Sequence, residues 1–179
     1  MGTEIKILDW IQNVRTPVMD ILMCFITKLG NAGMIWILLT SILLLIPRKR
    51  KSGAILAAAL CVNIFLCNGI LKNLFCRIRP CDVNASIQLL IAKPNDYSFP
   101  SGHTAASFAA VAALYLAGEQ KIWKPALVLA VFMAFSRLYL YVHYPTDIFG
   151  GIIVGIAAGY IGYRIIRGKV IPHKPHIPR

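Results

Sequence analysis

The stretch Ser136-Arg137-Leu138-Tyr139-Leu140-Tyr141-Val142-His143-Tyr144-Pro145-Thr146-Asp147 sets an arginine, a histidine and an aspartate between two long apolar segments. Ionisable groups at or near membrane depth are expensive to hold, and by default they are read as functional. Pro145 cannot continue a helix, but it is pre-shaped to begin one at the first helical position. One helix therefore ends near Tyr141 or Val142 and the next begins near Pro145. His143 falls in the break, and Asp147 falls in the new helix's first turn. A carboxylate within reach of an imidazole can fix its tautomer and stabilise its cationic form. On this stretch alone, a histidine and an aspartate at a wet helix junction explain the residues equally well.

Two more clusters change that balance. Lys72-Asn73-Leu74-Phe75-Cys76-Arg77-Ile78-Arg79-Pro80 puts two or three cations at the end of an apolar span. Pro100-Ser101-Gly102-His103 opens a helix for which Ser101 is a natural N-cap. The free N–H groups and positive dipole end of such a helix favour an anion, and Gly102 lets a ligand approach the backbone. With Arg137, three separated segments supply positive charge for one pocket. Phosphate fits it, since arginine grips phosphoryl oxygens in pairs and lysine acts as a point charge. His103 and His143 then supply an acid and a nucleophile. Asp147 is the one carboxylate in these clusters. No Cys, His, Asp or Glu grouping has metal-ligand spacing, so neither a metal nor a cofactor is expected. Cys24, Cys61, Cys67, Cys76 and Cys81 lie mostly in apolar spans, and a Cys76–Cys81 pair would require an oxidising face.

The order Lys-x6-Arg-Pro, Pro-Ser-Gly-His, Ser-Arg-x5-His-x3-Asp resembles the type-2 phosphatidic acid phosphatase family over roughly residues 50–165. That resemblance implies that His143 attacks phosphorus to form a phosphohistidine while Asp147 orients its ring. It implies that His103 protonates the leaving oxygen and later activates water. Lys72, Arg79, Ser101, Gly102 and Arg137 would hold the phosphoryl oxygens, so that fixed cations and N–H groups replace a divalent metal. Arg77 lies inside the first motif without being a signature position. A second-phosphate or headgroup contact and a solvated surface charge are both open for it.

These residues must be carried by a membrane bundle. The chain has 179 residues, is 58% hydrophobic and carries a formal charge of +12; its mean hydropathy is +0.66. Soluble domains are usually about 45–50% apolar. The surplus Lys and Arg flank apolar spans as topology signals do, so nucleic acid is not an expected partner. No signal peptide or myristoylation pattern is read at the N-terminus. Residues 4–14 read as a short amphipathic helix lying on the membrane, with Ile7, Leu8, Ile11 and Val14 on one face. Segments 17–29 and 34–46 are joined by Gly30-Asn31-Ala32-Gly33 as a tilted hairpin, and 54–71, 101–116, 125–141 and 145–166 follow. The expected fold is thus all-α, an integral membrane six-helix bundle with an N-terminal amphipathic interfacial helix. A single membrane domain covers 1–170, and 171–179 form a disordered, basic, Pro-rich tail. Gly151, Gly155 and Gly159 make a small-residue face for packing inside the bundle, with a dimer contact as the alternative. Tyr139, Tyr141 and Tyr144 read as interfacial belt aromatics.

Arg48-Lys49-Arg50-Lys51 marks a cytoplasmic loop. Counting spans from it puts the site outside and both termini in the cytoplasm. The family resemblance makes the expected reaction hydrolysis of a lipid phosphate monoester or diphosphate at the outer leaflet. Undecaprenyl diphosphate is favoured, since an outward site suits carrier recycling; phosphatidylglycerophosphate and phosphatidic acid are the alternatives. Two further readings are a lipid-phosphate transporter without hydrolysis and a vanadate-dependent haloperoxidase, the latter opposed by the six apolar segments.

Overall fold

The structure, a computed structural model, describes residues 2–168, and its regular elements are helical throughout. α1 spans Gly2–Asn13 and α2 spans Pro17–Leu29. The Thr16 hydroxyl accepts the Met19 N–H at 3.3 Å just ahead of Pro17, a cap and proline that together start α2. α3 follows as Met34–Leu45. α4, Arg50–Asn63, runs on through π-helical turns at Ile64–Leu71 into α5, Lys72–Phe75, and the short α6 is Pro80–Val83. α7 is Gly102–Leu116, α8 is Gln120–Tyr139 and α9 is Pro145–Gly168. The expected tail, 171–179, lies outside the described residues.

The segments Pro47–Val83, α8 and α9 are each long and apolar enough to cross a membrane. α2 and α3 meet that test together but turn through 48° at the break between them. That angle corrects the expected hairpin, which would reverse the chain. Ala32 and Gly33 both take positive φ there, 50° and 70°, so the α2 helix stops and α3 resumes at a bend instead of doubling back. The six expected spans become five rods among the described residues: bent α2–α3, α4–α5, α7, α8 and α9.

This changes where the N-terminus goes. α2 lies along α8, with Asp20 accepting from the Tyr139 hydroxyl at 2.6 Å and Thr27 from Arg137 at 2.6 Å. α1 then docks on the chain leaving α8. Gln12 donates to the Tyr139 carbonyl at 2.9 Å, Asp9 accepts from the Tyr141 hydroxyl at 2.7 Å, and Leu8 and Ile11 are buried. Gly2 therefore lies at the His143 end of the bundle. Gly168 lies at the other, because α9 leads away from His143 over 24 residues, about 36 Å. The two ends of the described chain, Gly2 and Gly168, thus lie at opposite ends of the bundle. The tyrosines are corrected too: Tyr139, Tyr141 and Tyr144 are buried around α1 and α2, not spread in a belt.

α7 is the central rod, flanked by α4, α8 and α9. It runs parallel to α9, and the glycines of α9 permit the contact. A Cβ on Gly151 would lie 2.9 Å from the Ser101 carbonyl oxygen, and one on Gly155 would strike that of Ala105. On Gly159 it would meet Ala112 at 2.5 Å. The small-residue face is therefore covered within the chain's own bundle. The outer surface is studded with exposed apolar side chains such as Val18, Ile21, Leu45, Phe65, Val128 and Phe149, as a lipid-facing surface requires. Gly155→Leu should drive α7 and α9 apart and lower stability by about 1–3 kcal/mol. Thermal unfolding in detergent measures this, with Gly69→Ala as the control, since the nearest atom to a Cβ there is 3.9 Å away.

Candidate active site

α8 ends at Tyr139, Tyr141 takes a positive φ of 60°, and α9 begins at Pro145. His143 sits in this break, buried, as the proline rule requires. Its Nδ1 lies 3.4 Å from Asp147 Oδ2, and its Nε2 lies 3.1 Å from Arg79 Nη1. Arginine can only donate, so the Nε2 facing it must be the acceptor and the ring proton belongs on Nδ1. That tautomer leaves a lone pair on Nε2. Burial favours the neutral ring; Asp147 pulls towards the cation, and Arg79 and Arg137 push against it.

Asp147 is more closely held by other groups than by His143. Oδ2 accepts from the Ser98 hydroxyl and, at 2.8 Å, from the Tyr144 N–H. Oδ1 accepts from Arg77 Nη1 at 2.6 Å. Arg77 also donates to Thr146 Oγ1 at 2.6 Å and to Glu4 of α1 at 2.7 Å, and it lies 4.0 Å above the Tyr144 ring. It is thus not the free surface charge that was one of the two uses open for it in the sequence. It ties the carboxylate behind the histidine to the N-terminal helix.

A cavity of about 630 Å³ brings together Lys72, Arg79, Gly102, His103, Arg137 and His143. α5 supplies Lys72, and the bend after it supplies Arg79. The Ser101 N–H donates to the Asp147 carbonyl at 3.1 Å, which fixes the start of α7 against the start of α9. Ser101 itself is fully buried, its hydroxyl engaged with Thr104. It caps α7 and does not join the cavity wall. Arg137 donates from Nη1 to Thr27, while its buried Nε has no partner. His103 Nε2 lies 3.1 Å from Asn31 Oδ1, so the bend between α2 and α3 reaches into the site. A Cβ on Gly30 would strike His103 at 2.7 Å, which accounts for glycine there. A second cavity, about 400 Å³, leads away from Lys72 and His103 between α3, α4 and α7. Ile37, Leu60, Ile64 and Ala106 make its walls apolar.

One carboxylate in the cavity had no signal in the motifs. Asp96 faces Lys72 Nζ through Oδ2 and accepts from Arg79 Nη2 through Oδ1 at 2.6 Å. Its carbonyl accepts from Arg79 Nε at 2.8 Å. Burial works against its ionisation, but Lys72 and Arg79 outweigh it and hold the carboxyl at about 2.

Residues 51–171 match the PAP2 superfamily. The chain belongs to that family. An undecaprenyl-diphosphatase of Sulfolobus acidocaldarius is 29% identical to this PAP2 protein over 165 residues, covering 92% of this chain and 79% of the relative. Among solved structures, LpxE of Aquifex aeolicus superposes with a TM-score of 0.78 at 30% identity, covering 92% of this chain and 96% of that one. A transmembrane PAP2-type phosphatidylglycerolphosphate phosphatase of Bacillus subtilis gives 0.74 over 97% of this chain and 88% of that one. At 23% identity the last comparison speaks for the fold alone.

Asn31, Arg77, Asp96 and Ser98 are the site residues of this PAP2 protein that sequence reasoning did not place. Asn31 stood in an apparent turn, and Ser98 and Asp96 in a stretch without regular periodicity. Arg77→Ala should leave an oxygen of the fully buried Asp147 unpaired. Breaking a buried charged pair typically costs about 3–5 kcal/mol, and the exposed edge of Arg77 places this one near the lower figure. Glu4→Gln removes only the outer link and should cost less than about 1 kcal/mol. Unfolding midpoints of both variants in one detergent check the order.

Proposed function

We propose that this PAP2 protein is an integral-membrane lipid phosphatase that hydrolyses a phosphate monoester or diphosphate through a phosphohistidine. The observation that carries the reading is the ring of His143, which lines a cavity rich in cations with its Nδ1 3.4 Å from Asp147 and its Nε2 beside Arg79. In the first step the Nε2 lone pair attacks phosphorus and the bond from phosphorus to the bridging oxygen breaks. His103 gives its proton to that oxygen. In the second step His103 takes a proton from water, the resulting hydroxide attacks phosphorus, and the N–P bond breaks to free phosphate and His143. Asp147 stabilises the imidazolium character of the ring during attack. Lys72, Arg79, Arg137 and the first N–H groups of α7 balance charge on the phosphoryl oxygens, a role that divalent ions fill elsewhere. Ser101 serves by holding the start of α7 in place.

The apolar groove beside Lys72 and His103 suits the chain of a lipid whose phosphate lies in the cavity. Undecaprenyl diphosphate is the favoured substrate, supported by the relative that carries that activity in its name; phosphatidylglycerophosphate and phosphatidic acid are the alternatives. Arg48–Lys51, Lys121, Lys124, Arg164 and Arg167 gather at the end of the bundle remote from His143. The rule that such residues stay cytoplasmic supports an outward-facing site. α1 would then lie at the outer surface, with Ile7, Trp10 and Val14 exposed towards the interface.

Three measurements test these readings. Phosphate release from lipid phosphates should persist in EDTA, and restoration specifically by Mg²⁺ after chelation would overturn the metal-free mechanism. His143→Ala should abolish turnover of every substrate by several orders of magnitude. His103→Ala should retain relatively more activity on p-nitrophenyl phosphate, whose leaving group needs little protonation, than on an alkyl lipid phosphate. Equal loss on both substrates would remove His103 from the acid role. Finally, in a Cys-free background, Thr3→Cys and Asn95→Cys should react with an impermeant thiol reagent on intact cells, and Gly168→Cys should not. Protection of position 3 with labelling of position 95 would restore the cytoplasmic N-terminus.

A further inference from the structure

The cavity described above is not an empty cationic cup. Asp96 reaches into it from the stretch between α6 and α7, and it sets its two carboxylate oxygens on two different cations, Lys72 and Arg79. Two oxygens of a phosphoryl group would bind the same pair. The Asp96 side chain is nevertheless 53% exposed, and it lines the same cavity as His103, Arg137 and His143. An anion entering there meets Asp96 in the position it must take. Asp147 does not compete, because it is fully buried and bound by Arg77, Ser98 and Tyr144.

We propose that Asp96 is a specificity-determining residue: it occupies the phosphoryl subsite in turn with the substrate, admitting doubly charged phosphomonoesters and diphosphates and excluding singly charged phosphodiesters. This rests on the phosphatase reading of the site. The physical reason is a difference of affinities. Exchanging one carboxylate for one phosphodiester trades a single negative charge for another, so the attraction to Lys72 and Arg79 changes little. A monoester dianion or a diphosphate brings at least one charge more against the same cations. Arg137, whose buried Nε lacks an acceptor, offers a further donor to an oxygen that Asp96 leaves unfilled. The discrimination matters because the site opens at a bilayer whose bulk anionic lipids are phosphodiesters. Without an internal competitor, such a pocket would be filled by the commonest anion beside it. With its carboxyl held at about 2, Asp96 is ionised wherever phosphomonoesters are dianions.

The test uses the purified full chain in phosphatidylcholine–detergent micelles, with p-nitrophenyl phosphate as reporter and phosphatidylglycerol as competitor. Wild type should be weakly inhibited by phosphatidylglycerol. In Asp96→Asn the half-inhibiting mole fraction should fall at least about tenfold, and orthovanadate should inhibit more tightly. Asp96→Glu, which keeps the charge, should keep the discrimination. Unchanged phosphatidylglycerol inhibition in a folded Asp96→Asn overturns the proposal. So does weaker vanadate inhibition, which would mean that the carboxylate organises the cations without competing. A second measurement needs neither turnover nor a variant. Inorganic phosphate should raise the unfolding midpoint of wild type, whereas dimethyl phosphate at equal concentration should not. Equal shifts by both overturn the proposal. If folded wild type releases no phosphate from any substrate, the phosphatase reading fails, and the midpoint shifts still decide the role of Asp96.

Discussion

Like charges crowded at the end of an apolar bundle repel one another, and the site depends on how that repulsion is balanced. Lys72, Arg77, Arg79 and Arg137 converge there, and water is too scarce to screen them. The balance is divided between two carboxylates. Asp147 takes Arg77 and holds it behind His143, away from the cavity. Asp96 takes Lys72 and Arg79, which face the cavity. One anion is therefore a fixed part of the frame, and the other stands where a ligand can replace it. The buried carboxylate is surrounded by donors from three segments, whereas the half-exposed one is held by two cations alone.

The frame around Asp147 joins distant parts of the chain. Ser98 precedes α7, Tyr144 precedes α9, Arg77 follows α5, and Glu4 of α1 completes the set. The carbonyl of the same aspartate receives the Ser101 N–H. Thus one residue orients the ring of His143 and fixes the start of α7, where His103 projects. The glycine face of α9 then carries that alignment along the contact between the two rods. Positions of both imidazoles follow from backbone packing more than from their own hydrogen bonds.

What was legible in the sequence was local. Pro145 announced the break that holds His143, Ser101 announced the start of α7, and the spaced glycines of α9 announced a close helix contact. Each rests on a rule that works within one or two helical turns. What was illegible depended on partners far along the chain. Arg77 and Asp147 are 70 positions apart, and nothing in the short spacing around Arg77 points to that pairing. Asp96 belonged to no motif, because its partners are set by the fold of a stretch without periodicity. Gly30–Gly33 could be recognised as a break, but glycine permits a bend of 48° as readily as a reversal. Packing of α2 on α8 and α3 on α4 decides between them, and the bend in turn joins two expected segments into one rod and sets the end of the bundle at which α1 lies. The tyrosines misled for a related reason: aromatic residues at span ends suit an interface, and here α1 covers them.

The groove walled by Ile37 and Ile64 opens sideways, between rods whose other faces meet lipid. A ligand with its chain in that groove need not leave the bilayer to place its head beside His143. Encounter then takes place by diffusion in two dimensions, and the relevant concentration is the ligand's mole fraction in the membrane plane. Adding inert lipid at constant bulk substrate would dilute the surface and slow the encounter, although every quantity expressed per litre stayed the same.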